Sequence, residues 1–126
     1  MWGYYNIQEI NMIYKKSWKY ILKYLHNSFY RPVAVKNFSN ISKGVFGGFI
    51  RGYHNLSQSG NCWIYDNSIV FGNAEVSSNA QVYGYAKVYD NAHISGNAHV
   101  YDNAEICGTA HICGNTRVKN RKIISE

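Results

Sequence analysis

The chain has a single proline, Pro32, and no acidic residue anywhere between Glu9 and Asp66. Its three cysteines, Cys62, Cys107 and Cys113, never fall at C-x-x-C spacing, which argues against a zinc knuckle. No apolar run approaches the roughly 20 residues needed to span a bilayer. The start, MWGYYNIQEIN, lacks the basic and apolar regions of a secretory leader. These absences predict a soluble, cytoplasmic protein with reduced thiols. The 126 residues suit one modest domain.

What is present is unevenly spread. Residues 1–60 carry eight Lys/Arg against one acid, whereas residues 61–126 carry five against six. The basic half, with the run Arg117, Lys119, Arg121 and Lys122, suits a polyanionic partner such as nucleic acid or a nucleoprotein. Twelve tyrosines supply amphipathic rings of the kind favoured at contact surfaces.

The strongest signal is a six-residue repeat. From Ile64 the chain reads IYDNSI, VFGNAE, VSSNAQ, VYGYAK, VYDNAH, ISGNAH, VYDNAE, ICGTAH, ICGNTR, VKNRK. The first position is Ile or Val ten times running, and the fifth is Ser or Ala in the first eight repeats, then Thr116 and Lys122. Residues two apart on a strand face the same way, so Ala98 and Val100 point inward while His99 points out. Gly, Asn and Asp at the third and fourth positions tolerate left-handed backbone and form corners. A strand and a corner every six residues describe a flat-sided coil. Three sides close a coil of about 18 residues, with coils about 4.8 Å apart. Ten hexads predict a little over three coils.

The hexads resemble the left-handed β-helix of hexapeptide-repeat proteins. GGFIRGYHNLSQSGNCWIYDNSIVFGNA, residues 47–74, is similar to the entry motif and repeats of phage and prophage proteins of the polymer-forming cytoskeletal group. FYRPVAVKNFSNISKGVFGG resembles the stretch leading into it, and residues 1–28 depart from that group. The resemblance implies the fold, its left hand and a mobile-element origin in a bacterial host cell. It implies no reaction. The expected class is all-β: a short triangular β-helix with an N-terminal capping α-helix. Its parts are residues 1–28 (basic helix or cap), 29–60 (β entry), 61–119 (β-helix) and 120–126 (basic tail).

Residues 8–26 read as an amphipathic helix with Ile10, Ile13, Tyr14, Trp18, Ile21 and Leu25 on one face. Lys15, Lys19 and Lys23 form a basic stripe on it. The apolar face is expected to cover one end of the prism, because an uncovered end would aggregate.

Stacking at 18 residues aligns outward side chains in columns. One face carries Tyr65, Tyr83, Tyr101 and Lys119 beside Trp63, Gln81, His99 and Arg117. That aromatic strip with a basic end is the predicted partner-binding surface, for a protein or a second copy. A second face carries Ile69, Lys87 and Glu105 beside Phe71, Tyr89 and Cys107. Asn79, Asn97 and Asn115 align at a corner, where side-chain ladders are expected.

Many hexapeptide-repeat proteins are acyltransferases, and His93, His99 and His111 point outward as formal bases. They occupy a variable position, however, and no inserted loop builds a pocket. Glu75, His93 and His111 share a column whose coil spacing could suit two His ligands of a metal, but ordinary solvated ladder residues are the favoured reading. The sequence therefore favours a non-enzymatic module with no catalytic residue, metal or cofactor. Its alternatives are an inhibitor of a host defence complex, such as a CRISPR effector, and an acyltransferase.

Overall fold

A computed structural model describes residues 18–126. Strands β1 (Tyr20–His26) and β2 (Phe29–Ala34) form an antiparallel hairpin. Asn27 and Ser28 between them both take left-handed φ values, 53° and 62°, the geometry a tight hairpin turn requires. The short rungs follow: β3 (Phe49–Ile50), β4 (Trp63–Ile64), β5 (Ile69–Val70), β6 (Glu75–Val76), β7 (Gln81–Val82), β8 (Lys87–Val88) and β9 (His93–Ile94). Then come β10 (His99–Tyr101), β11 (Glu105–Gly108), β12 (His111–Ile112), β13 (Arg117–Lys119) and β14 (Lys122–Ser125). The described residues contain no α-helix, only a 3-10 turn at Tyr53–Asn55. None is therefore a helix long and apolar enough to cross a membrane.

Three sheets make a triangular solenoid, parallel throughout except where β2 pairs antiparallel with β1 and β3. One stacks β4-β7-β10-β13, a second stacks β6-β9-β12, and the third continues from the hairpin as β1-β2-β3-β5-β8-β11-β14. The register is the 18-residue repeat: Ile64 pairs with Val82, Val82 with Val100, and Val100 with Val118. The first positions and the alanines of the fifth positions are buried in one continuous core. Only a small residue fits there, because three walls converge on the axis.

The corners follow from the third position. Gly60, Asp66, Gly72, Ser78, Gly84, Asp90, Gly96, Asp102, Gly108, Gly114 and Asn120 all have positive φ, at a strict spacing of six. Gly, Asn and Asp bear that conformation at the least cost, and Ser78 is the exception among these corners. The expected Asn ladder is built differently. The backbone N–H of Asn79 donates to Gly96 O and that of Asn97 to Gly114 O. The Asn79 side-chain oxygen accepts from the backbone N–H of Asn61, 3.2 Å away.

Two departures from strict period occur at the ends. Ile50 pairs with Val70, and Leu56 with Val76. Ile64 keeps the ordinary spacing, so two extra residues lie between Leu56 and Ile64. The four rungs of the β4 sheet are those of the hexads, and the entry coil adds Ile50 and Leu56 as further rungs on the other two faces. At the other end Ile106 pairs with Ile123, and Glu105 with Lys122. The tenth side is thus one residue short. Lys122, at the fifth position by strict counting, faces outward, and Ile123 packs against the core. A one-residue slip inverts every side chain on a strand, and burying Ile123 in place of Lys122 selects this register. Residues 122–125, read from sequence as a tail, are the last rung of the solenoid.

The hairpin corrects the helix expectation. Residues 8–17 lie outside the described residues, Lys15 among them, but residues 20–26 are strand. Lys19 and Lys23 therefore form no helical stripe: Lys19 is buried and Lys23 is exposed on β1. The end of the prism is nevertheless covered, by Tyr20 and Phe38 packed edge-on against Trp63 at 6.2 and 5.3 Å. Gly47 admits this closure, since a Cβ there would sit 2.6 Å from Pro32 Cγ and 2.7 Å from Ile64 O.

Candidate functional interface

The strip predicted from the 18-residue columns is present from Tyr65 onward. Tyr83 and Tyr101 stack with centroids 5.0 Å apart and planes inclined by 10°. Tyr65 meets Tyr83 edge-on at 6.0 Å. Their spacing is set by the backbone, because β4, β7 and β10 are hydrogen-bonded neighbours. Lys119 closes the column and lies 3.7 Å from Asp102. Arg117 is exposed beside it.

Trp63 is not part of this surface. It sits in the outward column by sequence, yet it is fully buried. The hairpin and the loop through Phe38 fold over that end of the sheet and take the indole into the cap. Among the described residues its Nε1–H has no hydrogen-bond partner.

His99 stands next to the strip. Its Nδ1 and the Tyr83 hydroxyl share a 3.0 Å hydrogen bond, and the rings meet edge-on at 5.8 Å. Partial burial and then the positive field of Arg117 hold its pKa below the ordinary histidine value. Both effects disfavour a second proton. At its upper end the strip borders a shallow groove of about 350 Å³ lined by Asn40, Tyr65, Asp66, Asn67, Gln81 and Tyr83. Tyr65 donates to Asn40 Oδ1 across it, at 3.3 Å.

The other candidates separate. His93 and His111 stack at 4.9 Å, and His93 Nδ1 lies 4.0 Å from Glu75. Among the described residues no group of three His, Cys, Asp or Glu side chains is arranged to hold a metal ion. Cys107 is buried on β11, Cys113 is exposed after β12, and all three thiols are free.

Sequence reasoning missed the continuous seven-stranded face. The second-face columns are joined by the hairpin, whose strands add Lys23 and Arg31 to the same outward row. On this face Phe71 and Tyr89 stack at 5.0 Å and 11°. Tyr89 donates to Glu105, which also pairs with Lys122 at 3.1 Å. These two partners, the tyrosine first, hold the Glu105 carboxyl below its ordinary pKa. The alternation of residues 20–34 carries the signal for these strands, but it overlaps an equally good helical spacing.

No protein-family profile matches the chain. A stretch of 40 residues, 31% of this chain, is 45% identical to an uncharacterized acetyltransferase, YdcK, of Escherichia coli (strain K12). The match spans 12% of that relative's length. It agrees with the hexapeptide-repeat reading of the coils.

Proposed function

We propose that this chain is a non-enzymatic binding module whose tyrosine face receives a protein partner or a second copy. The observation that carries the reading is the stacked Tyr83–Tyr101 pair, held by the rungs themselves. Rings fixed in the free protein lose little entropy on binding. Tyr65, Tyr83 and Tyr101 form the contact centre, with His99 beside them and Arg117 and Lys119 as a basic margin. The groove beside Tyr65 suits one inserted side chain.

The test compares wild type with Tyr65→Ala/Tyr83→Ala/Tyr101→Ala by sedimentation velocity and by affinity capture with mass spectrometry. A complex, with itself or another protein, that the variant loses supports the reading. A variant that keeps every interaction of wild type removes it. Inhibition of a host defence complex is one form such binding takes, supported by the basic charge and the phage-like motifs.

Acyl transfer is the second reading, favoured by the 40-residue similarity to an acetyltransferase. His99 is the base that the geometry favours, because it is kept neutral and is oriented by Tyr83. Calorimetry with acetyl-CoA checks this reading: binding, together with transfer lost in His99→Ala, establishes it. No binding at millimolar acetyl-CoA excludes it.

A further inference from the structure

The seven-stranded sheet offers a second surface, unlike the tyrosine face in chemistry. Successive pairings align one outward row across it: Lys23 with Arg31, then Phe49, Ile69, Lys87, Glu105 and Lys122. Glu105 is the sole acid on any strand of this sheet, and Lys122 neutralises it at 3.1 Å. Residues 18–65, which supply its first three strands, contain six Lys/Arg and no acid. Over its first three strands the surface is therefore a positive field with no carboxylate of its own to compete for the cations.

Its cations are also held against rings. The Arg51 guanidinium lies 3.9 Å from the Phe29 ring centroid. Arg31 lies 5.4 Å from both the Phe46 and the Phe49 centroids. Each arginine spends one donor on the backbone: Arg31 Nε on Gly47 O at 2.9 Å, and Arg51 on Asn27 O at 2.7 Å. The remaining donors of each fork are uncommitted to any protein acceptor among the described residues. At 3.9 Å the Arg51 guanidinium is within stacking distance of its ring, and a guanidinium offers a planar face and a charged edge together.

We infer that the outer face of the seven-stranded sheet binds single-stranded nucleic acid, with Arg31 and Arg51 stacking bases and Lys23 and Lys87 contacting phosphates. Single strands are bound by basic grooves that interleave cations with planar groups, and guanidinium planes serve as base platforms. An acidic peptide offers charge but no planes to stack. A duplex hides its base faces. Six gaps of about 4.8 Å make the row roughly 29 Å long, enough for the shorter of the roughly 4–16-nucleotide sites seen on single-strand binders. The face is separate from the tyrosine strip, so the two readings fail independently.

Fluorescence anisotropy with a labelled 20-nucleotide oligo-dT tests the inference. The full chain is compared with Arg31→Ala/Arg51→Ala and with Lys23→Glu/Lys87→Glu. The second variant changes only exposed side chains and preserves folding if the hairpin packing depends on the arginines. Wild type is expected to bind, with affinity falling at least tenfold between about 50 and 200 mM salt. Lys23→Glu/Lys87→Glu weakens binding more than tenfold at an unchanged melting temperature. Tyr83→Ala/Tyr101→Ala leaves it within twofold. Three results overturn the inference: no binding by wild type, equal or tighter binding of a duplex of the same length, or equal binding of a polyglutamate peptide. Unchanged affinity in the Lys23→Glu/Lys87→Glu variant overturns it too.

Discussion

Lys19 Nζ lies 3.3 Å from Cys62 Sγ, and both residues are buried where the hairpin meets the first full coil. The same amine donates to the carbonyls of Cys62 at 2.8 Å and Gly60 at 3.3 Å. It also sits 5.1 Å from the Phe38 ring centroid. Gln58 completes the clasp: its oxygen accepts from the backbone N–H groups of Lys19 and Tyr20, and its amide donates to Tyr20 O. The two extra residues of the entry coil lie in this segment. The loop they create is what grips β1. Burial lowers the pKa of Lys19 and raises that of Cys62.

Replacing Lys19 by Met keeps the stem and removes the donor. The buried carbonyl of Cys62 and the partly buried one of Gly60 then lose a partner, at a cost of about 1–3 kcal/mol. Urea denaturation measures it. A Lys19→Met protein as stable as wild type would show that water takes over both bonds.

The corners give a paired test. Gly84 and Gly114 have nearly the same φ, 67° and 62°, but different space. A Cβ on Gly84 would lie 2.7 Å from Asp102 N, whereas one on Gly114 meets nothing within 4 Å. Gly114→Ala is expected to cost about 1–2 kcal/mol from the left-handed backbone alone. Gly84→Ala is expected to cost clearly more. Equal melting temperatures would mean that the coils move apart freely at their corners.

His99 sets an acid-side dependence. Its folded pKa is below the unfolded value of about 6.5. The unfolded chain therefore binds the proton more readily as pH falls. Stability is retained above about pH 6.5 and declines below it, towards the folded pKa. Melting curves of wild type and His99→Gln between pH 5 and 7.5 check this. The variant should show the smaller loss on acidification, and parallel curves would remove His99 as the cause.

Val88 is fully buried at the middle rung between Val70 and Ile106. Val88→Asp places a carboxylate in a core without a polar partner and is expected to cost more than about 4 kcal/mol. Circular dichroism and a melting curve read the outcome. A folded variant of wild-type stability would mean the inward assignment is wrong.

The coils were legible because one rule repeats. Ile or Val every six residues, with Ala two before it, fixes which side chains point inward, and Gly or Asp at the third position fixes the corners. The ends were not legible, because local pattern and tertiary cover compete there. YILKYLH spaces its apolar residues well enough for a helix, yet pairs as β1 with FYRPVA. Trp63 occupies an outward position that the hairpin happens to cover. Lys122 and Ile123 show the reverse case, in which burial of one isoleucine overrides strict counting. The tyrosine strip could be read from spacing alone. The Arg31–Phe49 contact needed the hairpin register, which no local period encodes.

The most direct test of the tyrosine face is affinity capture from a bacterial lysate, comparing wild type with Tyr65→Ala/Tyr83→Ala/Tyr101→Ala at matched melting temperature and with nuclease treatment. The account expects at least one protein, a second copy of this chain included, to be held by wild type and lost by the variant. Identical captured sets from the two proteins would contradict it.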